Sequence, residues 1–201
     1  MVVHGLSPER LKFSSIKPIY KSGDKFLPSN YRPISLLPAF SKILEKVIYK
    51  ILFDHLNNNV ILNEHQYGFQ SEVSTENASY ILLNEILTAL ISKQMVRGIF
   101  CDLHKAFDCI NQAVLLQKMK FYGISGKFYN SVKSYLDGRH QTVILSHNNG
   151  TESTLEKIKQ GVLWGSILGP IFFLIYIQLD KFSIHWNQNP IVCRQYQYNS
   201  N

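Results

Sequence analysis

The chain has 201 residues, of which 45% are hydrophobic and 17% are charged. This composition excludes a disordered chain and provides enough apolar surface for one or two cores of ordinary size. The formal net charge of +7 favours an anionic partner, of which nucleic acid is the commonest, with a merely basic chain as the alternative.

The first half of the sequence predicts a strand, an extended segment and two helices. Residues 12–20 form a short predicted strand that a turn at 21–24 closes, and three prolines keep residues 30–38 extended. An amphipathic helix follows, with apolar residues at helical spacing: Phe40, Ile43, Leu44, Val47, Ile48, Ile51, Leu52 and Leu56. A second helix is predicted from about 75 to 94, with Ser74 or Thr75 as its cap. Its inward-facing residues are predicted to be Ile81, Leu82, Ile86, Ala89 and Leu90.

The second half predicts a buried strand at 96–103, followed by short helices near 111–122 and 126–137. An alternating strand pattern then covers residues 139–146, and a glycine-containing loop at 160–166 leads into a helix at 168–179. The order of these elements predicts an α/β or α+β domain with a partly antiparallel sheet.

Three cysteines, Cys101, Cys109 and Cys193, form no C-x-x-C pair. We therefore expect neither a disulfide framework nor a zinc site. A reducing, intracellular compartment is the expected location. No secretory leader follows Met1. The longest apolar run, 167–179, is too short to span a bilayer and predicts a buried helix, so no membrane partner is expected.

Two aspartates could serve catalysis or simply shape a turn. Asp102 ends the predicted apolar strand, where a carboxylate suits a magnesium ligand, although an aspartate that caps the next turn is the alternative. Asp108 lies six residues further on. Its position favours a cap for the helix that starts near Asn111 over a second acidic ligand.

Glycines and basic residues mark two further candidate binding segments. Gly161, Gly165 and Gly169 permit close backbone approach to a phosphate or base pair, or else form an ordinary turn. Three basic side chains lie on or near the proline-bounded segment and the preceding strand: Lys17, Lys21 and Arg32. They could bind a triphosphate or remain solvated surface charges.

In this order, the segments resemble the motifs of non-LTR reverse transcriptases. Residues 16–24 (IKPIYKSGD) and 30–37 (NYRPISLL), followed by a helix with KILEKVI, are similar to the finger motif. Residues 100–108 (FCDLHKAFD) and 161–170 (GVLWGSILGP) resemble the palm motifs. Further similar segments are HQYGFQ at 65–70, STE at 74–76 and YLDGRHQTV at 135–143. The resemblance covers about residues 8–180.

The resemblance implies a partial right-hand polymerase fold with fingers and an incomplete palm. It places a fingers-like region at 1–95, a palm-like region at 96–185 and a degenerate tail at 186–201. It implies an RNA template and a DNA primer as partners. A nuclear location would suit a non-LTR element. No localisation signal is recognised.

The resemblance also implies roles for individual residues. Asp102 would be catalytic and would bind Mg²⁺ together with the backbone carbonyl of Leu103. Phe107 matches the aromatic gate that excludes a ribose 2′-hydroxyl. The incoming triphosphate would lie near Lys21 and Arg32, and the template–nucleotide pair would be supported by Gly165 and Ser166.

The chain departs from the family pattern at two places. The Pro-Gln pair of the second palm motif is Leu163-Trp164 here, and the bulk of Trp164 could clash with the incoming base pair. The Ala-Asp-Asp of the family hairpin is replaced by residues 197–199 (QYN), and no Asp or Glu follows Asp180. We therefore expect that the chain does not hold two magnesium ions and is inactive.

Two consequences complete the expectations. No thumb is recognised in the 201 residues, and the palm strand lacks its neighbour, so its exposed edge predicts marginal stability or a protein partner that covers it. The alternatives to a polymerase domain fragment are a non-catalytic nucleic-acid-binding remnant and a degraded element product without a selected function.

Overall fold

The computed structural model describes residues 5–63, 65–70, 73–98, 100, 103, 105–145 and 151–178. The chain forms two compact units. One unit lies within Met1–Asn59 and Lys105–Ile177, and the other lies within Val60–His104 and Gln178–Asn201.

The first unit contains a mixed sheet. Its strands are β1 (Phe13–Tyr20), β2 (Tyr31–Leu36), β3 (His140–Leu145), β4 (Thr151–Glu152) and β5 (Glu156–Lys157). Their order is β2-β1-β3-β4, and β5 also pairs with β3. Strand β1 runs antiparallel to β2 and parallel to β3, whereas β4 and β5 are antiparallel to β3. The predicted mixed α/β class with a partly antiparallel sheet is confirmed.

Strands β1 and β2 form a hairpin whose long turn is held by its own side chains. Tyr20 pairs with Tyr31 at the end of the ladder. Within the turn, the Asn30 side-chain amide donates to the carbonyl of Asp24 at 2.8 Å, and the Asp24 carboxylate accepts the N–H of Phe26 at 2.9 Å. The strand predicted at 12–20 and the extended segment predicted at 30–38 are therefore confirmed as two strands of one hairpin.

Helix α1 (Ala39–Asn58) is confirmed, but its buried face differs from the predicted one. The residues that it buries lie on one stripe: Ser41, Glu45, Ile48, Leu52 and Leu56. Four of the eight apolar residues at helical spacing are exposed: Phe40, Ile43, Val47 and Ile51. Eight apolar positions cover more of the helix surface than one core contact can bury, so the periodicity alone could not select the stripe.

Three more α-helices lie in the described part of this unit: α3 (Gln112–Phe121), α4 (Gly126–Leu136) and α5 (Leu168–Ile177). Seven of the ten residues of α5 are buried, and α5 packs against α1 and α3. The predicted buried helix at 168–179 is thus confirmed over 168–177. Among the described residues, no helix combines the length and the apolar character needed to cross a membrane.

The predicted cap of α3 was assigned to the wrong residue. The Asn111 side chain accepts the N–H groups of Ala113 at 2.9 Å and Val114 at 3.2 Å, so Asn111 is the N-cap. Asp108 precedes the helix by a full turn and therefore cannot reach these N–H groups, and its carboxylate accepts a hydrogen bond elsewhere.

The second unit contains α2 (Thr75–Ile91), where Ser74 is the N-cap and accepts the N–H of Asn77. Of the residues predicted to face inward, Leu90 is exposed and the others are half-buried. The buried strand predicted at 96–103 is not found: residues 96–98, 100 and 103 are in no strand, and Phe100 is 72% exposed. A strand needs a hydrogen-bonded neighbour, and no described residue pairs with these positions.

Candidate functional site

The β1–β2 hairpin brings two of the predicted triphosphate-binding side chains to the same end of the sheet. Lys21 directly follows Tyr20, Arg32 directly follows Tyr31, and these two tyrosines are paired. The N–H of Lys21 donates to the carbonyl of Asn30 at 2.9 Å. Lys21 is exposed, Arg32 is half-buried, and Lys17 lies exposed in the middle of β1. The hairpin end thus presents positive charge to solvent, as an anionic ligand requires.

The glycine loop, residues 161–167, is attached to strand β2. The N–H of Ser35 donates to the carbonyl of Trp164 at 2.8 Å. Gly165 has φ +84°, and an added Cβ would lie 3.3 Å from the carbonyl oxygen of Ser35. Gly165 therefore has a left-handed backbone and lies close to the backbone of β2, and its approach to a phosphate or base pair stays a prediction.

Ser166 is buried, and its hydroxyl is used within the loop. The Oγ atom donates to the carbonyl of Leu163 and accepts the N–H of Gly169, both at 2.9 Å. The second bond satisfies one of the backbone N–H groups in the first turn of α5. Ser166 therefore shapes the loop, and its hydroxyl has both of these bonds inside the protein.

The start of the glycine loop packs against the backbone of residues 107–110. The N–H of Gly161 donates to the carbonyl of Ile110 at 2.8 Å, and the N–H of Val162 donates to that of Phe107 at 3.0 Å. Gly161 has φ +81°, and a Cβ there would lie 2.9 Å from both Cα and O of Asp108. Only glycine fits this position, because any side chain would overlap fixed backbone atoms.

Three side chains form a cluster above this contact. The ring of Phe107, which is 7% exposed, lies 5.0 Å from that of Trp164 and 5.5 Å from that of Phe173, measured between centroids. The Nε1–H of Trp164 donates to Oδ1 of Asp108 at 3.1 Å. Burial raises the pKa of the Asp108 carboxyl, and the bond from Trp164 opposes that rise. Trp164 therefore covers the ring predicted to contact the nucleotide sugar.

A buried polar cluster that the sequence did not indicate lies behind the loop. Glu45 has no exposed surface, and Tyr135 is 3% exposed. The Tyr135 hydroxyl donates to Oε1 of Glu45 at 2.5 Å, and the backbone N–H of Ile167 donates to Oε2 at 2.7 Å. The Arg139 guanidinium lies 4.5 Å from the centroid of the Tyr135 ring. Burial raises the pKa of Glu45, although both hydrogen bonds and the charge of Arg139 oppose the rise.

The expected magnesium ligands are not brought together in the described part of the chain. Asp102 lies outside the described residues, and Leu103 is 50% exposed in the second unit. Among the described residues, no group of three or more His, Cys, Asp or Glu side chains could hold a metal ion. The tail that would carry the remaining carboxylates, from residue 179 onward, also lies outside the described residues. The expected magnesium site therefore lies mostly outside the described residues and stays a prediction.

The chain is similar to RNA-directed DNA polymerases of mobile elements. The family model "Reverse transcriptase (RNA-dependent DNA polymerase)" matches residues 19–197. A probable RNA-directed DNA polymerase from transposon X-element of Drosophila melanogaster is 34% identical over 170 residues, which cover 84% of this chain and 18% of the relative. The polymerase from mobile element jockey of the same species is 32% identical over 173 residues, which cover 86% and 18%.

The matched family and the mixed fold define a polymerase domain of the reverse transcriptase class. More narrowly, this chain belongs to the reverse transcriptases of non-LTR retrotransposons, as the mobile elements of its relatives indicate. The chain spans about a fifth of the length of the curated relatives that it matches.

Proposed function

We propose that the 201 residues form the fingers and an incomplete palm of a right-hand polymerase and bind an RNA template paired with a DNA primer. The contact between the glycine loop and strand β2 supports this, because it brings a segment of the predicted palm against a segment of the predicted fingers. The boundaries 1–95, 96–185 and 186–201 stay predictions. The net charge of +7 supports a polyanionic ligand.

In this proposal the described residues act as a nucleotide-facing surface. Lys21 and Arg32 would hold phosphate groups at the hairpin end, Arg32 through two parallel N–H bonds and Lys21 as a point charge. Gly165 and Ser166 would support the template–nucleotide pair. Asp102 and the backbone carbonyl of Leu103 would hold Mg²⁺, which in this family would supply positive charge beside the primer hydroxyl and the phosphates of the nucleotide.

The proposal further holds that this polypeptide does not add nucleotides by itself. The burial of Phe107 carries this part, because a residue that is 7% exposed and packed against Trp164 and Phe173 leaves little surface for contact with a sugar. The sequence QYN at 197–199 adds support, since it offers no carboxylate for a cation.

Primer extension tests the lack of activity. The purified 201-residue chain is given an RNA template with an annealed DNA primer, deoxynucleotides and Mg²⁺, and is compared with Asp102→Asn. We expect no extended product from either chain. Extension by the wild type that Asp102→Asn abolishes would refute the proposed inactivity and leave the binding proposal standing.

Binding of a labelled RNA–DNA hybrid at several salt concentrations tests the interface. Lys21→Ala and Arg32→Ala should each weaken binding and reduce the slope of log affinity against log salt by about one. Lys50→Ala is the matched control, because Lys50 is an exposed cation of the same unit on α1. Salt-independent or absent binding of the wild type would favour a degraded product without a selected function.

The predicted protein partner has no structural support in the described residues. Its premise was an exposed palm edge at 96–103, and residues 96–98, 100 and 103 form no strand. The partner therefore stays a prediction from the sequence alone.

A further inference from the structure

The carboxylate of Glu45 is buried at a cost that two hydrogen bonds offset. Glu45 has no exposed surface, and a carboxylate transferred from water into a core is strongly destabilising unless it is hydrogen-bonded or paired. One oxygen accepts from the hydroxyl of Tyr135 and the other from the N–H of Ile167. No salt bridge to Glu45 is found within the described residues. Its partners are therefore a helix side chain and a loop backbone group.

The bond from the Ile167 N–H to the Glu45 carboxylate lies at the N-terminus of helix α5. Ile167 immediately precedes α5 and immediately follows Gly165 and Ser166. A helix N-terminus carries partial positive charge and unpaired N–H groups, so a carboxylate there makes a strong, charge-assisted bond. Since Glu45 is the seventh of the 20 residues of α1, this one bond ties the end of the glycine loop to the first half of a long helix.

The other partner of Glu45 is fixed in its turn. Tyr135 lies in α4, and its ring is contacted by the Arg139 guanidinium and by Phe172 of α5, 6.2 Å away between centroids. Nη1 of Arg139 also donates to the carbonyl of Tyr135 at 3.4 Å. The hydroxyl of Tyr135 thus orients the carboxylate from a side chain that itself has little freedom to move.

The loop is therefore held at both ends by separate contacts. Gly161 and Val162 fix its start through the backbone of Ile110 and Phe107, and Trp164 is bonded to β2. Without Glu45, the described hydrogen bonds of the segment 165–167 would be those of Ser166 to Leu163, within the loop, and to Gly169, in the first turn of α5. We propose that Glu45, oriented by Tyr135, is a positioning residue that sets the location of Gly165 and Ser166 by accepting the N–H of Ile167. The importance of this location for a template–nucleotide pair rests on the proposed function.

Trp164 reports the position of the loop directly. The sequence contains two tryptophans, Trp164 and Trp186, so Trp186→Phe leaves a single fluorophore on the loop. In that background, acrylamide quenching is measured for Glu45→Met, which keeps the volume but cannot accept the Ile167 N–H. Loss of a bond to a charged group shifts the docked loop toward the undocked state about tenfold or more, so quenching should rise clearly.

Glu45→Gln is the conservative rescue, since its carbonyl oxygen can still accept the Ile167 N–H and should restore quenching to the wild-type level. Leu52→Ala is the matched control: Leu52 lies two turns along the same buried stripe of α1. It should lower the unfolding midpoint yet leave the quenching of the folded chain unchanged. A merely structural role for Glu45 would make Glu45→Met behave like Leu52→Ala.

Unchanged quenching in Glu45→Met, or equal quenching in Glu45→Met and Leu52→Ala, would overturn the proposal. Should Glu45→Met fail to fold, Tyr135→Phe decides: it should raise quenching by loosening the carboxylate, and no change would refute the inference. The measurement needs no nucleic acid. Failure of the wild type to bind an RNA–DNA hybrid would therefore sink the proposed function and leave the positioning role intact.

Discussion

Gly161→Ala should destabilise the chain through two effects. The same substitution at a second glycine, Gly126, separates these effects. Gly161 has φ +81°, and an added Cβ would lie 2.9 Å from backbone atoms of Asp108. Gly126 has φ +65°, but its Cβ would meet nothing within 4 Å. Gly126→Ala therefore measures the cost of the left-handed backbone alone, and Gly161→Ala adds the overlap with fixed backbone atoms.

The magnitudes follow from these two geometries. A left-handed backbone costs about 1–2 kcal/mol for a residue with a Cβ, and the restricted unfolded chain of the alanine variant offsets about 0.4–1 kcal/mol of that cost. Gly126→Ala should thus lower the free energy of unfolding by about 1 kcal/mol. Overpacking adds about 1–3 kcal/mol, which brings Gly161→Ala to about 2–4 kcal/mol.

Urea unfolding followed by far-ultraviolet circular dichroism measures both variants against the wild type. The comparison is valid where the slope against denaturant is unchanged, because the surface exposed on unfolding is then the same. Equal destabilisation by the two substitutions would refute the close packing of the glycine loop on Asp108. A cooperative transition lost only in Gly161→Ala would agree with it.

Three further substitutions test single contacts. Asn111→Ala removes the cap of α3 and should cost about 1 kcal/mol in urea unfolding, whereas no loss would contradict the capping bonds. Trp164→Phe deletes the bond that lowers the pKa of Asp108, so that pKa should rise in an NMR titration; an unchanged pKa would exclude the bond. Burial raises the pKa of Glu45 above its ordinary 4.5, so the wild type loses stability as pH rises through that raised value. Glu45→Gln lacks this ionisation and should gain stability relative to the wild type between acid and neutral pH, and a constant difference would refute the direction of the shift.

Local chemistry made most of the elements predictable. The prolines at 28, 33 and 38 fix their own backbone angles, and the turn residues Asp24 and Asn30 hydrogen-bond to nearby backbone, so the hairpin is specified within its own sequence. Helices α3 and α4 likewise begin beside polar residues and end near glycines. These signals act over a few residues, and a sequence displays them directly.

The failed predictions concern contacts between distant segments. Nothing near Glu45 in the sequence shows that it will meet Tyr135 and Ile167, which are 90 and 122 positions away. A glutamate in an apolar helix indicates an exposed residue by default. Its one available signal was spacing, since Glu45 falls on the stripe of Ile48 and Leu52. The described residues of the segment predicted as a strand, 96–98, 100 and 103, form no strand. A strand depends on a neighbour that local sequence does not identify.

The departure at Leu163-Trp164 changes the surface of the site without changing what holds the loop. In the described hydrogen bonds from Ser35 and Ser166 to residues 164 and 163, the backbone carbonyls of these two residues are the acceptors, and Glu45 holds the loop at Ile167. The Trp164 side chain is free of that task, so it packs on Phe107 and donates to Asp108. The loop can therefore keep its backbone hydrogen bonds while the Trp164 ring packs on Phe107, so its shape does not require any particular side chain at positions 163 and 164.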